Sequence, residues 1–268
     1  MSGYFENKVA VVTGAASGIG LGITERLLSQ GGRAVFMADI TEENLEREAA
    51  RLRELHPDKI FPMLTDVTKS SQVTEILRAA KDLDGHLDFV FNNAGRGATL
   101  PTEQVTLDLW RHILDLNVMG VVHGTYGAIP IMREQGFGHI VNTASLAGLV
   151  PIPYQAVYVA SKSAVISMTE SLQYELECEG LQFSVICPSN IQTPIFGDLA
   201  PPPDSISVNE AMDYIFQELA RPSLVIALPE SARNVSLYYR TRREEFDEFM
   251  RGMAKERREN YRTKGTYF

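Results

Sequence analysis

A chain of 268 residues, 44% hydrophobic and 22% charged, is long enough for one large α/β domain with a sizeable core and short for two full-sized domains. Its formal net charge of −9 argues against nucleic acid as a partner, and no uncharged apolar run approaches the roughly 18 residues that cross a bilayer. Cys178 and Cys187 make neither a disulfide framework nor a zinc site, and the segment Met1–Lys8, with Glu6 inside it, lacks the apolar core of a signal peptide; the expectation is a cytoplasmic protein in a reducing compartment, with no metal.

Val9–Thr13 is an unbroken apolar run, as in a strand covered on both faces. A helix is expected over about Ile19–Gln30, stopped by Gly31 and Gly32, and a second strand over Ala34–Ala38. Thr41 stands where a cap begins a charged helix that reaches His56. Ile60–Thr65, Phe89–Asn92, His139–Ala144 and Phe183–Cys187 read as further buried strands, with helices at about Ser71–Leu83, Thr106–Gln135 and Gln155–Glu179. A loop (Gly197–Ser207), a helix near Val208–Ala220 and a last strand, Leu224–Leu228, follow. The connections suit right-handed crossovers, so the expected fold class is α/β: a Rossmann-type, doubly wound parallel β-sheet with helices on both faces. All of residues 1–268 are expected to form one such domain, with a substrate loop and helix at about 189–220 and a charged helical extension at about 230–268.

Between the first strand and first helix stands Thr13-Gly14-Ala15-Ala16-Ser17-Gly18-Ile19-Gly20. Glycines there let the backbone approach a pyrophosphate, and the helix N-terminus offers it amide donors and partial positive charge. A tight turn is the plainer account of three glycines; the strand–loop–helix setting favours the cradle. Asp39 ends the second strand, where an acid bonds the adenosine ribose and repels a 2′-phosphate; at about 4 Å and an effective dielectric near 20 that repulsion is roughly 4 kcal/mol. Ile40 and Thr41 follow with no Arg, so NAD(H) is expected over NADP(H). The plainer account of Asp39 is a cap for the next helix.

Tyr158 and Lys162 are four residues apart, on one helical face. A phenol ionises near pH 10, and nearby cations can bring it toward neutrality, where it can exchange a proton with an alcohol or carbonyl. Taken alone, an exposed Tyr and Lys on a helix is the commoner meaning of this spacing.

With Gly14, Gly18 and Gly20, Asn92-Asn93-Ala94-Gly95 after a strand, Asp66-Val67, and Asn117, Ser145, Tyr158 and Lys162 in order and spacing, the chain resembles the short-chain dehydrogenase/reductase family over about residues 5–228. The resemblance implies an oxidoreductase that moves hydride between NAD(H) and an alcohol or ketone. It implies a catalytic set of Asn117, Ser145, Tyr158 and Lys162: Ser145 bonding the substrate oxygen, Tyr158 exchanging the proton, Lys162 binding the nicotinamide ribose and depressing the tyrosine, Asn117 holding a relay water. The cofactor set it implies is Gly14, Ser17, Gly18, Ile19, Gly20, Asp39, Ile40, Asp66, Val67, Asn93, Ala94, Gly95, Tyr158, Lys162, Pro188, Ile191 and Thr193. Two departures stand out: Ser189 replaces the glycine usual after Pro188, and the usual Asp-Gly-Gly ending is missing after Leu228. A homodimer or homotetramer through the helices at Thr106–Gln135 and Gln155–Glu179 is implied, with no nucleic-acid or membrane partner.

The loops after the later strands supply Leu146, Leu149, Val150, Ile152, Tyr154, Ile191, Ile195 and Phe196, an apolar wall suited to a hydrophobic secondary alcohol or ketone. Arg96 is expected as a solvated loop residue. The competing readings are an NAD-binding regulatory protein that kept the fold and lost the chemistry, and an NADP-dependent reductase. In the tail, Phe246, Phe249, Met250 and Met253 make a stripe at helical spacing, so a docked amphipathic helix is expected, packed on its own domain or a partner in preference to acting as a lid.

Overall fold

Every apolar run expected as a strand is one, and all seven strands pair in parallel. The computed structural model describes residues 3–193, 201–221 and 223–267, so the wall residues Ile195 and Phe196 lie outside the described residues. The strands are β1 (Val9–Thr13), β2 (Ala34–Asp39), β3 (Ile60–Leu64), β4 (Phe89–Asn92), β5 (Gly138–Thr143), β6 (Leu181–Pro188) and β7 (Val225–Leu228), in the spatial order β3-β2-β1-β4-β5-β6-β7. Between them run α1 (Gly18–Ser29), α2 (Glu42–Leu55), α3 (Ser70–Asp84), α4 (Leu107–Leu114), α5 (Gly120–Gln135), α6 (Leu146–Leu149), α7 (Ala156–Leu176) and α8 (Val208–Leu219). After β7 come α9 (Glu230–Thr241) and α10 (Arg243–Lys264).

Parallel pairing hides both faces of the sheet, which is why the strands read as continuous apolar runs rather than alternating ones. In β1, Ala10 and Val12 pack with Leu27 of α1, Leu45 of α2 and Ile215 of α8, while Val9 and Val11 pack with Ile76 of α3, Met132 of α5 and Leu176 of α7. Each such side chain removed from water contributes about 1.5–3 kcal/mol. Pro62 is accommodated because β3 is the sheet edge. The winding reverses between β1 and β4, opening a crevice at the carboxyl ends of those two strands.

Four local features differ from expectation. The helix expected over Thr106–Gln135 is interrupted by one π-helical turn, Asp115–Met119, and α6 is an added short helix that starts at Ser145. Thr41 occupies the cap position of α2 without a side-chain bond; the carboxylate of Asp39 accepts the Thr41 amide at 3.0 Å instead. The tail is two helices, broken at Arg242. In its second helix Phe246 is buried, Met250 and Met253 are half-buried, and Phe249, at the edge of that stripe, is 53% exposed.

Candidate functional site

The loop Gly14–Ser17 leaves β1 and turns into α1 with Gly14 at φ +64° and Gly18 at +52°, where a side chain is strained. A Cβ on Gly20 would lie 2.0 Å from the Gly14 carbonyl oxygen. The loop is braced from β4: the Thr13 hydroxyl accepts the Asn93 and Ala94 amides at 2.9 and 3.0 Å, and the Asn93 side chain donates to the Thr13 carbonyl at 3.1 Å. Ser17 caps α1 without a side-chain bond and no acid stands in its first turn, so the positive end of α1 faces the crevice without a carboxylate of its own. These features fit a dinucleotide pyrophosphate.

Asp39 presents its carboxylate beside this loop, accepting the Ala16 amide and the Thr41 amide, both at 3.0 Å. Both accounts of Asp39 therefore hold geometrically: it starts α2 and also borders the glycine loop. Ile40 next to it is 68% exposed. The Asp66 carboxylate accepts the amide and hydroxyl of Thr68; burial pushes its carboxyl up, but those bonds outweigh burial and hold it below its usual range. Val67 is buried and presses on Gly120, and Ile191 is buried in the core beside α8, bridged to Ile206. The side chains of these two residues are thus packing groups, which corrects the expectation of Ile191 in the pocket wall. Thr193 is half-buried at the end of this segment.

Asn117 lies in the π turn, fully buried. Its amide donates to the Arg96 carbonyl at 2.9 Å and to the Ser161 hydroxyl at 3.1 Å, and its oxygen accepts the Arg96 amide at 2.9 Å. The Ser161 hydroxyl in turn donates to the Tyr158 carbonyl at 2.7 Å. Ser145 caps α6, its hydroxyl accepting the Ala147 amide at 3.2 Å and donating to the Pro188 carbonyl at 3.4 Å, and Tyr158 stands in the first turn of α7. Lys162, one turn further on, is 4% exposed; its ammonium donates to the Thr143 carbonyl at 2.8 Å and lies 5.8 Å from the centre of the Tyr158 ring. A Cβ on Gly95 would stand 3.1 Å from the Asn117 oxygen and 3.4 Å from the Lys162 nitrogen. Asn117, Ser145, Tyr158 and Lys162 therefore gather at the carboxyl ends of β4, β5 and β6, next to the glycine loop.

The model for short chain dehydrogenases matches residues 8–203. The chain belongs to the short-chain dehydrogenase family. An uncharacterised oxidoreductase from Staphylococcus epidermidis is 33% identical over 225 residues, covering 82% of this chain and 94% of that protein. A short-chain dehydrogenase/reductase from Burkholderia phymatum, solved with NAD, superposes with a TM-score of 0.81 at 30% identity, covering 91% of this chain and 95% of the other. A short-chain dehydrogenase from Burkholderia cenocepacia, solved with NADP, gives 0.80 at 27% identity, covering 92% and 98%.

In this short-chain dehydrogenase the electrostatics of the site are set mainly by burial. Burial pushes the Tyr158 phenol above its ordinary value and the nearby Ser145 hydroxyl pulls it partway back, so the protein's own groups keep the phenol protonated at neutral pH. The lowering expected from Lys162 does not come from the resting side chain, whose ammonium is turned to Thr143 and is itself brought down to about 8 by burial. The Cys187 thiol, buried behind the site on β6, is pushed up to about 12 by burial, which leaves it an inert packing group.

Some contributors went unmarked in the sequence. Ser161 bonds Asn117 and the Tyr158 carbonyl, the Thr143 carbonyl holds Lys162, and Thr13 braces Asn93; only Ser161, three residues after Tyr158, had a spacing that could have singled it out. Asn92 does not face the crevice: its amide bonds Asn142 at 2.9 Å and Thr125 at 3.2 Å, and Asn142 bonds Thr169, tying β4, β5, α5 and α7 together beneath the site. Arg96 is exposed, as expected of a loop residue, though its backbone anchors Asn117. A groove of about 690 Å³ lined by His139, Gln173, Ser184 and Leu224 opens at the amino-terminal edge of the sheet and contains none of the expected residues. Among the described residues there is no cluster of metal-binding side chains, and no helix is long and apolar enough to cross a membrane.

Proposed function

We propose that this oxidoreductase interconverts an apolar secondary alcohol and its ketone with NAD(H), using Tyr158 as the acid and base. The observation that carries the reading is the Lys162 ammonium 5.8 Å from the centre of the Tyr158 ring, with Ser145 close enough to act on the phenol, at the mouth of a glycine cradle. In reduction, the Ser145 hydroxyl donates to the substrate carbonyl oxygen and stabilises the charge that gathers there. Tyr158 then releases its proton to that oxygen, giving the alcohol and a phenolate; oxidation runs the same transfer backwards. Lys162 is positioned to hold a ribose hydroxyl and to stabilise the phenolate once its ammonium swings from Thr143. The nicotinamide supplies or accepts the hydride. Asn117, with both amide hydrogens committed to Arg96 and Ser161, positions the loop after β4 and the start of α7.

Gly14, Ser17, Gly18, Ile19, Gly20, Asn93, Ala94 and Gly95 would hold the dinucleotide by backbone contact, with Asp39 and Ile40 at the adenosine end, Asp66 and Val67 beside the base, and Pro188, Ile191 and Thr193 along the nicotinamide. Leu146, Leu149, Val150, Ile152 and Tyr154, half-buried or buried beside Ser145, support an apolar substrate. Two free cysteines suit a reducing, cytoplasmic setting. Exposed Leu107, Met119, Tyr126 and Tyr174 on and around α4, α5 and α7 support association through those helices.

Tyr158→Phe tests the reading. Ketone-dependent oxidation of NADH should fall at least a hundredfold, the low end for a lost acid–base group. NADH binding, followed by nicotinamide fluorescence, should change less than about twofold, because the ring's shape is kept. Turnover near the parent rate would remove Tyr158 from its role.

A further inference from the structure

Two segments border the candidate site, and the C-terminal helix is bonded to both. The segment after β4 passes Gly95, which lies against Asn117 and Lys162, and continues through Leu100 to Gln104. The segment after β5 runs from Ser145 through Tyr154 into α7, where Tyr158 stands. They are joined to each other: the Leu100 amide donates to the Tyr154 carbonyl and the Gln155 side chain to the Thr99 hydroxyl, both at 2.9 Å. From α10, the Tyr261 hydroxyl accepts the Gln104 side-chain amide at 2.8 Å on the first segment. On the second, Arg257 donates to the Pro153 carbonyl at 2.8 Å and Arg258 to the Tyr154 hydroxyl at 3.2 Å, and that hydroxyl donates to the Ala254 carbonyl at 3.4 Å.

These contacts converge on Tyr154. It stands at φ +67°, a left-handed conformation uncommon for a side chain of this size, which persists only where the surroundings impose it. Its carbonyl is held by Leu100, its hydroxyl by α10, and its ring by Tyr267, at 4.8 Å and 30° between rings; Tyr267 in turn lies nearly parallel to Tyr261 at 4.6 Å and 6°. Two of these three restraints come from the tail. The groups assigned to the chemistry are secured separately, Asn117 by Ser161 and Lys162 by the Thr143 carbonyl. Release of the tail would therefore loosen the rim of the site and leave its floor in place.

We propose that the end of α10 is a clasp on the substrate side of the site: by holding Tyr154 and Gln104 it fixes the two bordering segments, and with them the fit of the substrate, and it takes no part in proton or hydride transfer. Arg258 and Tyr261 are its positioning residues, acting through Tyr154 and Gln104. This rests on the function proposed above for the identity of what binds beside these segments.

The test compares the full chain with a double variant, Arg258→Met and Tyr261→Phe, which keeps the length of one side chain and the ring of the other and removes their bonds to the rim. Well below the melting temperature, deuterium exchange in peptides covering residues 96–104 and 146–155 should quicken about tenfold or more in the variant. The KM for an aryl ketone should rise about fivefold or more, while kcat and NADH affinity stay within about twofold, the pattern of a lost binding contribution rather than a lost catalytic one. Unchanged exchange overturns the clasp. So does faster exchange with an unchanged KM, which makes the contacts packing alone, and so does a fall in kcat at constant KM. A parent that reduces no ketone removes the reductase reading, and the hold of α10 on the two segments is then decided by exchange alone.

Discussion

At the residue scale, two side chains carry most of the consequence. Asp39 holds its carboxylate beside the glycine loop with two amide bonds, and its neighbour Ile40 offers no cation to a 2′-phosphate. Repulsion of about 4 kcal/mol, at roughly 4 Å and an effective dielectric near 20, far exceeds the 1.4 kcal/mol that separates affinities tenfold. NADH should therefore bind at least tenfold tighter than NADPH in fluorescence titrations, and equal affinities would defeat the assignment of NAD. Lys162 makes a different prediction. Burial brings its ammonium from near 10.5 down to about 8, so the folded state sheds this proton before the unfolded chain does. Between those values the unfolded state binds more protons and stability rises with pH; below about 8 both states are charged and the full cost of the buried ammonium, about 3 kcal/mol, is present. Replacing it with an uncharged side chain of similar length, Lys162→Met, should stabilise the protein most at pH 7. Urea unfolding at pH 7 and pH 10 measures this, and an advantage that fails to shrink at the higher pH contradicts the burial of a charge.

At the scale of elements, the two C-terminal helices are held by one anchor. Phe246 is fully buried and meets Tyr239 and Tyr238 of α9 edge-on, at 4.9 and 6.0 Å between ring centres. Much of the rest of α10 is charged and exposed, so its position depends on that contact and on the bonds near Tyr154. Phe246→Ala should cost about 3–5 kcal/mol if the cavity does not collapse. It should also speed cleavage of the tail by trypsin, which has many sites there; an unchanged melting temperature together with an unchanged digestion pattern would show that the anchor holds nothing. The expected amphipathic stripe was legible in Phe246, Met250 and Met253 because a helix repeats every 3.6 residues. Its surface of contact was not, because nothing local to α10 encodes Pro153, Tyr154 or Gln104. The break at Asn117 went unread for a similar reason: the bonds Asn117 makes within the π turn reach Arg96 and Ser161, which are distant in sequence.

At the scale of the whole molecule, a subset of the exposed apolar residues bears on assembly. Leu107, Met119, Tyr126 and Tyr174 are 73%, 41%, 56% and 71% exposed on the helices expected to join subunits. A second copy packed on these helices would take the four side chains out of water. The parent protein should sediment as a dimer or larger, and Tyr126→Glu with Tyr174→Glu should shift it toward monomer; a monomeric parent would end that proposal.

The amino-acid sequence by itself determined the class of fold and the makings of the crevice. Continuous apolar runs of strand length can be buried only in a sheet covered on both faces, and the glycines at 14, 18 and 20 have few uses after such a strand. The short-range order of Tyr158, Ser161 and Lys162 was likewise written in one helix, since residues three and four apart share a face. What only the tertiary structure decided are the meetings across long separations. Asn117 meets Ser161 across 44 residues, Lys162 is buried because β5 offers it the Thr143 carbonyl, and Ile191 went inward because Ile206 pairs with it. Tyr267 belongs to this second kind: its place depends on the length and docking of α10 and on the left-handed turn at Tyr154, contacts made between segments over a hundred residues apart that no local pattern records.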